Sequence, residues 1–262
     1  MIPKTSLPDI AGIYNDFIES ENKVNTENRY VGKEHYFGAS GTNMCIRKHW
    51  FRRNKIEESD ATDIIGNRRM RLGTIQHNDL ENALGWFLNN QKNQSHNSIY
   101  NNTNTSSIYS SNIDTIDTEG EIILPELNVR GFYDAVFKMK SGEVFLYDFK
   151  TINGWSYKLK FGRDKKPAKV LTHETQLATY GMGVKEKYGR LDAMFLLYYH
   201  KDNSSWKEVE VPLEYMIDAK NYWLHANDIA SGDVPPPKRK DESPMQKWEC
   251  GYCNYETYCE EN

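Results

Sequence analysis

Hydrophobic and polar positions recur along the chain with two periods, one typical of helices and one typical of strands. Helical spacing occurs in five segments, which we predict to be helices: 7–20, 40–56, 71–88, 172–189 and 214–232. Runs rich in branched and aromatic residues predict four strands: 128–140, 143–152, 191–200 and 206–213. A Ser-Gly turn between the first two strands predicts a β-hairpin, and the helix between the second and third predicts a βαβ crossover. The pattern therefore predicts a mixed α/β fold.

Segments between these elements differ in composition. Residues 89–112 are mainly Asn and Ser with few apolar groups, which predicts a mobile loop or an insertion. Residues 234–240 contain three consecutive prolines and predict a stiff, extended linker. Ser40 or Thr42 is the predicted N-cap of the second helix. We divide the chain into an N-terminal helical segment, a core whose loop extends to residue 118, and a C-terminal segment: 1–70, 71–232 (loop 89–118) and 233–262.

Composition narrows the class of protein. The chain has 262 residues, 38% of them hydrophobic, which suffices for a core of ordinary size. A net charge of −4 argues against a general polyanion binder, although four basic clusters allow a local basic groove: 46–53, 68–71, 158–169 and 238–240. No run approaches about 18 apolar residues and the N-terminus lacks a signal-peptide pattern, so we predict a cytoplasmic protein that does not bind membranes. In that compartment the cysteines are not expected to form disulfides.

The strand at 143–152 carries charged side chains on an apolar face. Because strand side chains alternate, Asp148 and Lys150 share a face with Val144 and Leu146. If the hairpin bends at its Ser-Gly turn, residues whose numbers sum to about 282 lie opposite each other, so Asp134 faces Asp148. Two carboxylates beside a lysine predict a site for Mg²⁺ or Mn²⁺, which prefer oxygen ligands. The alternative is a structural Asp–Lys ion pair with a second aspartate nearby.

Four short motifs follow one another along the chain: Gly73-x-x-x-His77, Gly131-x-x-Asp134, Asp148-x-Lys150 and Gln176-x-x-x-Tyr180. Taken singly, each has an ordinary structural explanation, since a histidine, glutamine or tyrosine on a helix face is usually a packing residue. Taken together, over residues 73 to 180, they resemble the RecB-like nucleases of the PD-(D/E)xK superfamily. One departure is Tyr133, which precedes Asp134 in place of proline.

This resemblance implies a restriction-endonuclease-like core, in which helices flank a central mixed sheet. It implies four ligands for Mg²⁺ or Mn²⁺: His77, Asp134, Asp148 and the main-chain carbonyl of Phe149. It implies a catalytic set that shares the two aspartates: Asp134, Asp148, Lys150, Gln176 and Tyr180. Lys150 would orient the attacking water and stabilise charge on the phosphoryl group. Gln176 and Tyr180 would brace the site or contact the DNA strand.

The cysteines form a second set of candidate ligands, with one near the N-terminus and three near the C-terminus: Cys45, Cys250, Cys253 and Cys259. Spacing alone admits a four-cysteine zinc site or a [4Fe–4S] cluster, since both take four thiolates. The arrangement around the nuclease motifs resembles the iron–sulfur nucleases, which include the fourth CRISPR-associated (Cas) exonuclease family and the AddB-type nucleases. This resemblance implies a structural [4Fe–4S] cluster that joins both ends of the chain in one lobe. The Asn-rich insertion and Ile46, where proline often follows the first cysteine, differ from a minimal Cas member.

Segment 153–169 interleaves aromatic residues with lysines, a combination typical of sequence-tolerant single-strand binding. We predict that this segment is a DNA-binding loop with four contact residues: Trp155, Tyr157, Lys158 and Lys160. Trp50 and Phe51 lie in a similar stretch beside Cys45, but we expect them to pack in the cysteine lobe.

These observations predict a metal-dependent DNA exonuclease that acts on single-stranded ends. The expected partners are single-stranded DNA and the proteins of recombination, phage replication or CRISPR adaptation. One competing hypothesis is a non-catalytic iron–sulfur or zinc module for DNA binding or assembly, but such a module would have no need of Lys150. A weaker one is a structural zinc protein unrelated to DNA.

Overall fold

The computed structural model describes residues 9–30, 36–94, 112–162, 172–242 and 244–262. Six strands form one sheet: β1 (Phe37–Gly38), β2 (Ile113–Leu124), β3 (Val129–Met139), β4 (Val144–Ile152), β5 (Ala193–His200) and β6 (Trp206–Val211). The described ranges contain eight α-helices: α1 (Ile10–Tyr30), α2 (Ile46–Arg53), α3 (Ile64–Gln94), α4 (Gly154–Phe161), α5 (Thr172–Tyr188), α6 (Tyr215–Ala230), α7 (Arg239–Glu242) and α8 (Glu256–Glu261). None of these helices is long and apolar enough to cross a membrane.

The sheet is mixed, as the sequence predicts. Its strands run in the order β2, β3, β4, β5, β6, and the short β1 pairs in parallel with the start of β3. The β3–β4 hairpin is antiparallel with Val136 opposite Leu146, so paired residue numbers sum to 282, as the position of the turn predicts. Strands β4 and β5 are parallel, with Lys150 beside Tyr198, and α5 lies between them in the chain. The predicted hairpin, crossover and mixed α/β fold are confirmed.

Helix α5 packs closely between the sheet and α6. A Cβ atom at Gly183 would lie 2.6 Å from Ile122 Cβ, so glycine permits the close approach of α5 to β2. Leu177 of α5 is fully buried in the main core. The indole Nε1 of Trp223 in α6 donates to the hydroxyl of Thr179 over 3.1 Å. Contacts with both neighbours therefore fix the position of α5 relative to the strands.

A second, smaller core joins α2 to the C-terminal segment. Trp50 and Phe51 of α2 pack with Tyr255, which confirms that these aromatic residues are packing residues of this lobe. The amide and the hydroxyl of Thr257 donate to the carboxylate of Asp60, over 2.8 and 2.7 Å. Helix α2, the residues that follow it up to Asp60 and the C-terminal segment therefore form one lobe.

Several helix boundaries differ from the prediction. Helices α1 and α3 are longer than predicted, and α3 runs across the boundary drawn between the N-terminal segment and the core; the three-segment division stays a prediction. Helix α2 begins at Ile46 after a 3₁₀ turn, so neither Ser40 nor Thr42 is its cap. Helix α7 begins at Arg239, within the predicted linker 234–240, which is therefore only partly extended.

Two segments predicted as loops contain regular structure. The predicted Asn-rich loop includes residues 113–118, but these belong to β2 because their backbone pairs with β3. Residues 95–111 of that loop lie outside the described chain. The predicted DNA-binding loop is helical in its described part, α4. The Asn153 side chain caps this helix by accepting the amide of Ser156 over 2.8 Å. Residues 163–171 also lie outside the described chain.

Candidate active site

Two carboxylates lie where the β3–β4 hairpin opens. Pairing between the strands ends at Ala135 and Tyr147, so Asp134 and Asp148 are the next residues along each strand. The backbone N–H of Phe149 donates to Asp134 Oδ2 at this opening. Asp148 is 1% exposed and Asp134 is 6% exposed. The end of the ladder thus provides a backbone donor that orients one of two buried carboxylates.

His77 reaches the same place from α3. Its Nδ1 lies 3.5 Å from Asp134 Oδ1, and its ring is nearly perpendicular to the Phe149 ring, with 6.2 Å between centroids. Burial acts to lower the pKa of His77, but the hydrogen bond and the charge of Asp134 outweigh burial and raise the pKa above its ordinary value. His77 and Asp134 therefore form a mutually stabilising pair.

Lys150 pairs with Asp148 on the same strand. Lys150 Nζ lies 2.6 Å from Asp148 Oδ2, the distance of a charge-assisted contact. Burial raises the pKa of Asp148, and the charge of Lys150 only partly opposes this effect. Asp148 and Asp134 are both buried at this place, and two neighbouring carboxylates are the ligands that a hard divalent cation prefers.

Helix α5 supplies the fourth motif. Gln176 Nε2 donates to the hydroxyl of Tyr180 over 2.8 Å, and the Tyr180 ring packs at Gly131 of β3, where a Cβ atom would lie 2.6 Å from Cε1. Gln176 and Lys150 line one cavity of about 520 Å³. The structure therefore brings all four sequence motifs to one place.

His173 lines the same cavity and is absent from the predicted site residues. It precedes Gln176 by three positions, so both side chains lie on one face of α5. Its Nδ1 forms a hydrogen bond of 3.0 Å with the Tyr198 hydroxyl. Burial, followed by the positive charges of Lys150 and Lys160, lowers the pKa of His173 to about 3, so the ring is neutral at pH 7. The three-residue spacing to Gln176 is the sequence signal that could have identified it.

The four cysteines lie on the wall of this cavity as well. Cys45 directly precedes α2, Cys250 lies in the 3₁₀ turn Pro244–Tyr252, Cys253 follows this turn, and Cys259 is in α8. All four are free thiols. Burial raises the pKa of Cys250, and the neighbouring thiolates of the other three raise it further. The fold therefore brings Cys45 and the three C-terminal cysteines to one cavity, as a shared ligand site would require.

Neither candidate ligand set has the finished geometry of a metal site. Across the described ranges, no group of three or more His, Cys, Asp or Glu side chains is arranged to hold a metal ion. Near the hairpin opening, His77 contacts Asp134 and Lys150 contacts Asp148 instead.

The predicted DNA-contact residues on α4 fall into two pairs. Trp155 is 72% exposed, and Lys158, also exposed, lies three positions later on the same helical face. The Tyr157 ring packs on His200 with 4.7 Å between centroids, and Lys160 Nζ forms an ion pair with Glu174 at 2.5 Å. The first pair is presented to solvent, while the second attaches α4 to β5 and α5.

Comparison with known proteins places the chain in a family. Residues 45–260 match the family model of the PD-(D/E)XK nuclease superfamily. Among solved structures, SSO0001 is similar in fold, with a TM-score of 0.52 and 17% identity over 94% of this chain and 95% of that one. An alkaline exonuclease from Laribacter hongkongensis (LHK-Exo) aligns with a TM-score of 0.42 and 14% identity, over 86% of this chain and 98% of that one. No curated protein matches. The match over residues 45–260 establishes that this chain belongs to the PD-(D/E)XK nuclease superfamily.

Proposed function

We propose that the protein is a metal-dependent DNA exonuclease that hydrolyses phosphodiester bonds at single-stranded ends. The observation that carries this proposal is the meeting of two buried aspartates, His77 and Lys150 where the hairpin opens. Membership of a nuclease superfamily implies hydrolysis of DNA. Three parts of this proposal are more specific than membership of the superfamily: the metal dependence, the preference for single strands and the exonuclease mode.

The donor set fits Mg²⁺ or Mn²⁺ by its chemistry. Two carboxylates and a main-chain carbonyl are hard oxygen donors, and both carboxylates are buried where the hairpin opens. His77, Asp134, Asp148 and the Phe149 carbonyl would hold the cation. When bound, the cation neutralises a non-bridging phosphate oxygen and activates water at neutral pH.

The remaining residues of the site act on the phosphate and on each other. Lys150 lines the cavity, where its ammonium group would stabilise negative charge on the phosphoryl group and orient the attacking water. Its pKa is raised because the charges of Asp148 and Asp134 outweigh burial, so it stays protonated. The hydrogen bond to Tyr180 holds the amide of Gln176 in one orientation beside the cavity.

Single-stranded DNA is the substrate that α4 favours. This helix follows directly on the strand that carries Lys150, and it exposes an indole and an ammonium group on one face, Trp155 and Lys158. Stacking of bases on an exposed aromatic ring beside a cation binds single strands with little sequence preference.

We further propose that the four cysteines hold a structural [4Fe–4S] cluster, as in the RecB-like iron–sulfur nucleases that the motif order resembles. Four thiols on one cavity wall match the four ligands that such a cluster takes. Zinc takes the same ligands, so anaerobic purification with iron, sulfide and zinc analysis distinguishes the two. We include three further points in this proposal. The protein is similar to the Cas-type and AddB-type nucleases, it is located in the cytoplasm, and it acts in recombination, phage replication or CRISPR adaptation.

Degradation of end-labelled single-stranded DNA in Mn²⁺ tests the nuclease proposal. Lys150→Ala should reduce the cleavage rate by roughly 10²- to 10³-fold, as removal of one charge-stabilising donor does. Lys220→Ala is a matched control, because Asp218-x-Lys220 repeats the D-x-K spacing on the exposed face of α6. Equal loss in both variants, or cleavage that survives EDTA, would contradict the proposal. Binding without cleavage by all proteins would favour the non-catalytic module.

A further inference from the structure

One hydrogen-bonding atom beside Lys150 has no role in the site as described above. His173 is partly buried and lines the cavity, with Nδ1 bonded to Tyr198. Its second ring nitrogen, Nε2, has no hydrogen-bonding partner among the residues that the structure describes, and it is not one of their buried unpartnered atoms, so it is accessible to solvent. An accessible ring nitrogen on a residue that lines the cavity can form a hydrogen bond with a ligand there.

The contact with Tyr198 determines which nitrogen carries the proton. Tyr198 is fully buried, and within the described chain its hydroxyl has no other hydrogen-bonding partner than His173 Nδ1. If Nδ1 carried the proton, the phenolic O–H would be buried without an acceptor, at a cost of about 1–3 kcal/mol. The phenol therefore donates to Nδ1, and the proton of the neutral ring resides on Nε2.

The surroundings of Nε2 favour an anion. Lys150 borders the same cavity, and His173 lies in the first turn of the 17-residue helix α5, where the helix dipole is positive. Two carboxylates lie nearby, and each is paired with a lysine, Glu174 with Lys160 at 2.5 Å and Asp148 with Lys150 at 2.6 Å. The charges that act most strongly on His173 are those of the two lysines. An N–H donor, an ammonium group and a helix N-terminus together match a phosphate oxygen.

We propose that His173 binds a phosphate of the DNA strand, with Nε2–H donating to a non-bridging oxygen of a phosphodiester held beside Lys150. This inference rests on the proposed nuclease function and adds a phosphate-binding residue to it. Tyr198 is then a positioning residue, because it fixes the tautomer that makes Nε2 a donor.

Two measurements on the full chain test this role. The affinity for a labelled single-stranded oligonucleotide is measured in Ca²⁺ at several salt concentrations, and kcat and KM are measured in Mn²⁺. The variants are His173→Ala, His173→Gln and Tyr198→Phe, with His225→Ala as the control because His225 is an exposed histidine of α6. Thermal unfolding of each variant shows that it is folded.

His173→Ala should lower affinity and kcat/KM by about 10- to 100-fold, the range for one hydrogen bond to a charged group. His173→Gln, which keeps an N–H near the position of Nε2, should recover most of this loss, and Tyr198→Phe should be intermediate. Because a neutral donor replaces no counterion, the slope of log affinity against log salt should stay unchanged. His225→Ala should behave as wild type. If His173→Ala does not fold, the Gln and Phe variants carry the comparison.

Wild-type affinity and turnover in His173→Ala would overturn the inference. A His173→Gln variant as defective as His173→Ala would show that the ring packs and does not donate. A fall of the salt slope by about 1 would show a charged imidazole and refute the neutral donor. If wild type and His173→Ala cleave DNA equally well, this inference is wrong but the proposed nuclease function stands. A wild-type protein that neither binds nor cleaves DNA removes the proposed function with it.

Discussion

Replacement of Gly131 by alanine tests whether close packing behind β3 positions the active site. The added Cβ would lie 2.6 Å from Tyr180 Cε1 and 2.7 Å from Ala39 Cβ, closer than carbon atoms approach in folded proteins. Ala39 Cβ is attached to the backbone and cannot rotate away. Tyr180 is 5% exposed, and its hydroxyl is bonded to Gln176. Overpacking of this kind costs about 1–3 kcal/mol of unfolding free energy.

Gly73, the glycine of the first motif, supplies a matched control, because alanine at this position should raise the stability of the protein. A Cβ atom at Gly73 in α3 would find its nearest neighbour, Thr151 Oγ1, at 3.6 Å, an ordinary contact. Alanine in a helix interior is more favourable than glycine by about 1 kcal/mol. Gly73→Ala should therefore stabilise the protein by up to that amount, while Gly131→Ala destabilises it.

Thermal unfolding of the two variants and wild type measures both effects. For a chain of this size, 1 kcal/mol corresponds to roughly 2–4 °C in Tm. Gly131→Ala should lower Tm by roughly 2–12 °C, and it should also slow DNA cleavage, because a displaced Tyr180 no longer holds Gln176. Gly73→Ala should raise Tm by roughly 1–4 °C. Equal stability of Gly131→Ala and wild type would refute the packing argument, and a large loss in Gly73→Ala would show that α3 has no space for a side chain there.

Three further predictions concern other parts of the chain. Burial lowers the pKa of His49 from 6.5 to about 4, so below pH 6.5 only the unfolded chain takes up this proton. The unfolding free energy should then fall by about 1.4 kcal/mol per pH unit down to about pH 4, or about 3 kcal/mol in total; urea unfolding of His49→Gln should show a flatter pH profile, and parallel profiles would contradict this origin. Trp155→Ala should weaken single-strand binding by about 5- to 150-fold without changing Tm, because the side chain is 72% exposed; unchanged affinity in a fluorescence titration would exclude α4 from the interface. In anaerobically purified protein, Cys250→Ser should contain less iron and less acid-labile sulfide than the wild type. Zinc in place of iron in the wild type would refute the cluster.

The motif residues could be predicted because local rules determine where they lie. Alternation of side chains places Asp148 and Lys150 on one face of β4, and the turn centred on Ser141 determines the hairpin register that brings Asp134 beside them. The four-residue helical spacing places the Gln176 and Tyr180 side chains next to each other on one face of α5. None of these inferences required knowledge of contacts between distant segments.

Segments whose structure depends on a neighbour were predicted less well. Residues 113–118 carry isoleucine only at every third position, so they lack the two-residue alternation of a strand, and their strand conformation comes from pairing with β3. Helix α4 lies in a segment whose interleaved aromatic and basic residues predict a DNA-binding loop. The Asn153 cap, which accepts the Ser156 amide, is the local signal that marks its start.

The histidines show most directly what sequence alone leaves out. His77 was identified because it completes a motif with Gly73, whereas His173 belongs to none of the four motifs. What distinguishes His173 is the buried hydroxyl of Tyr198, which lies 25 positions later on β5. That contact gives the ring its tautomer and leaves Nε2 as the free donor of a residue that lines the cavity. Because the chemical role of a neutral histidine depends on the partner of its other nitrogen, such a residue can be assigned only after the strand that supplies this partner has been located.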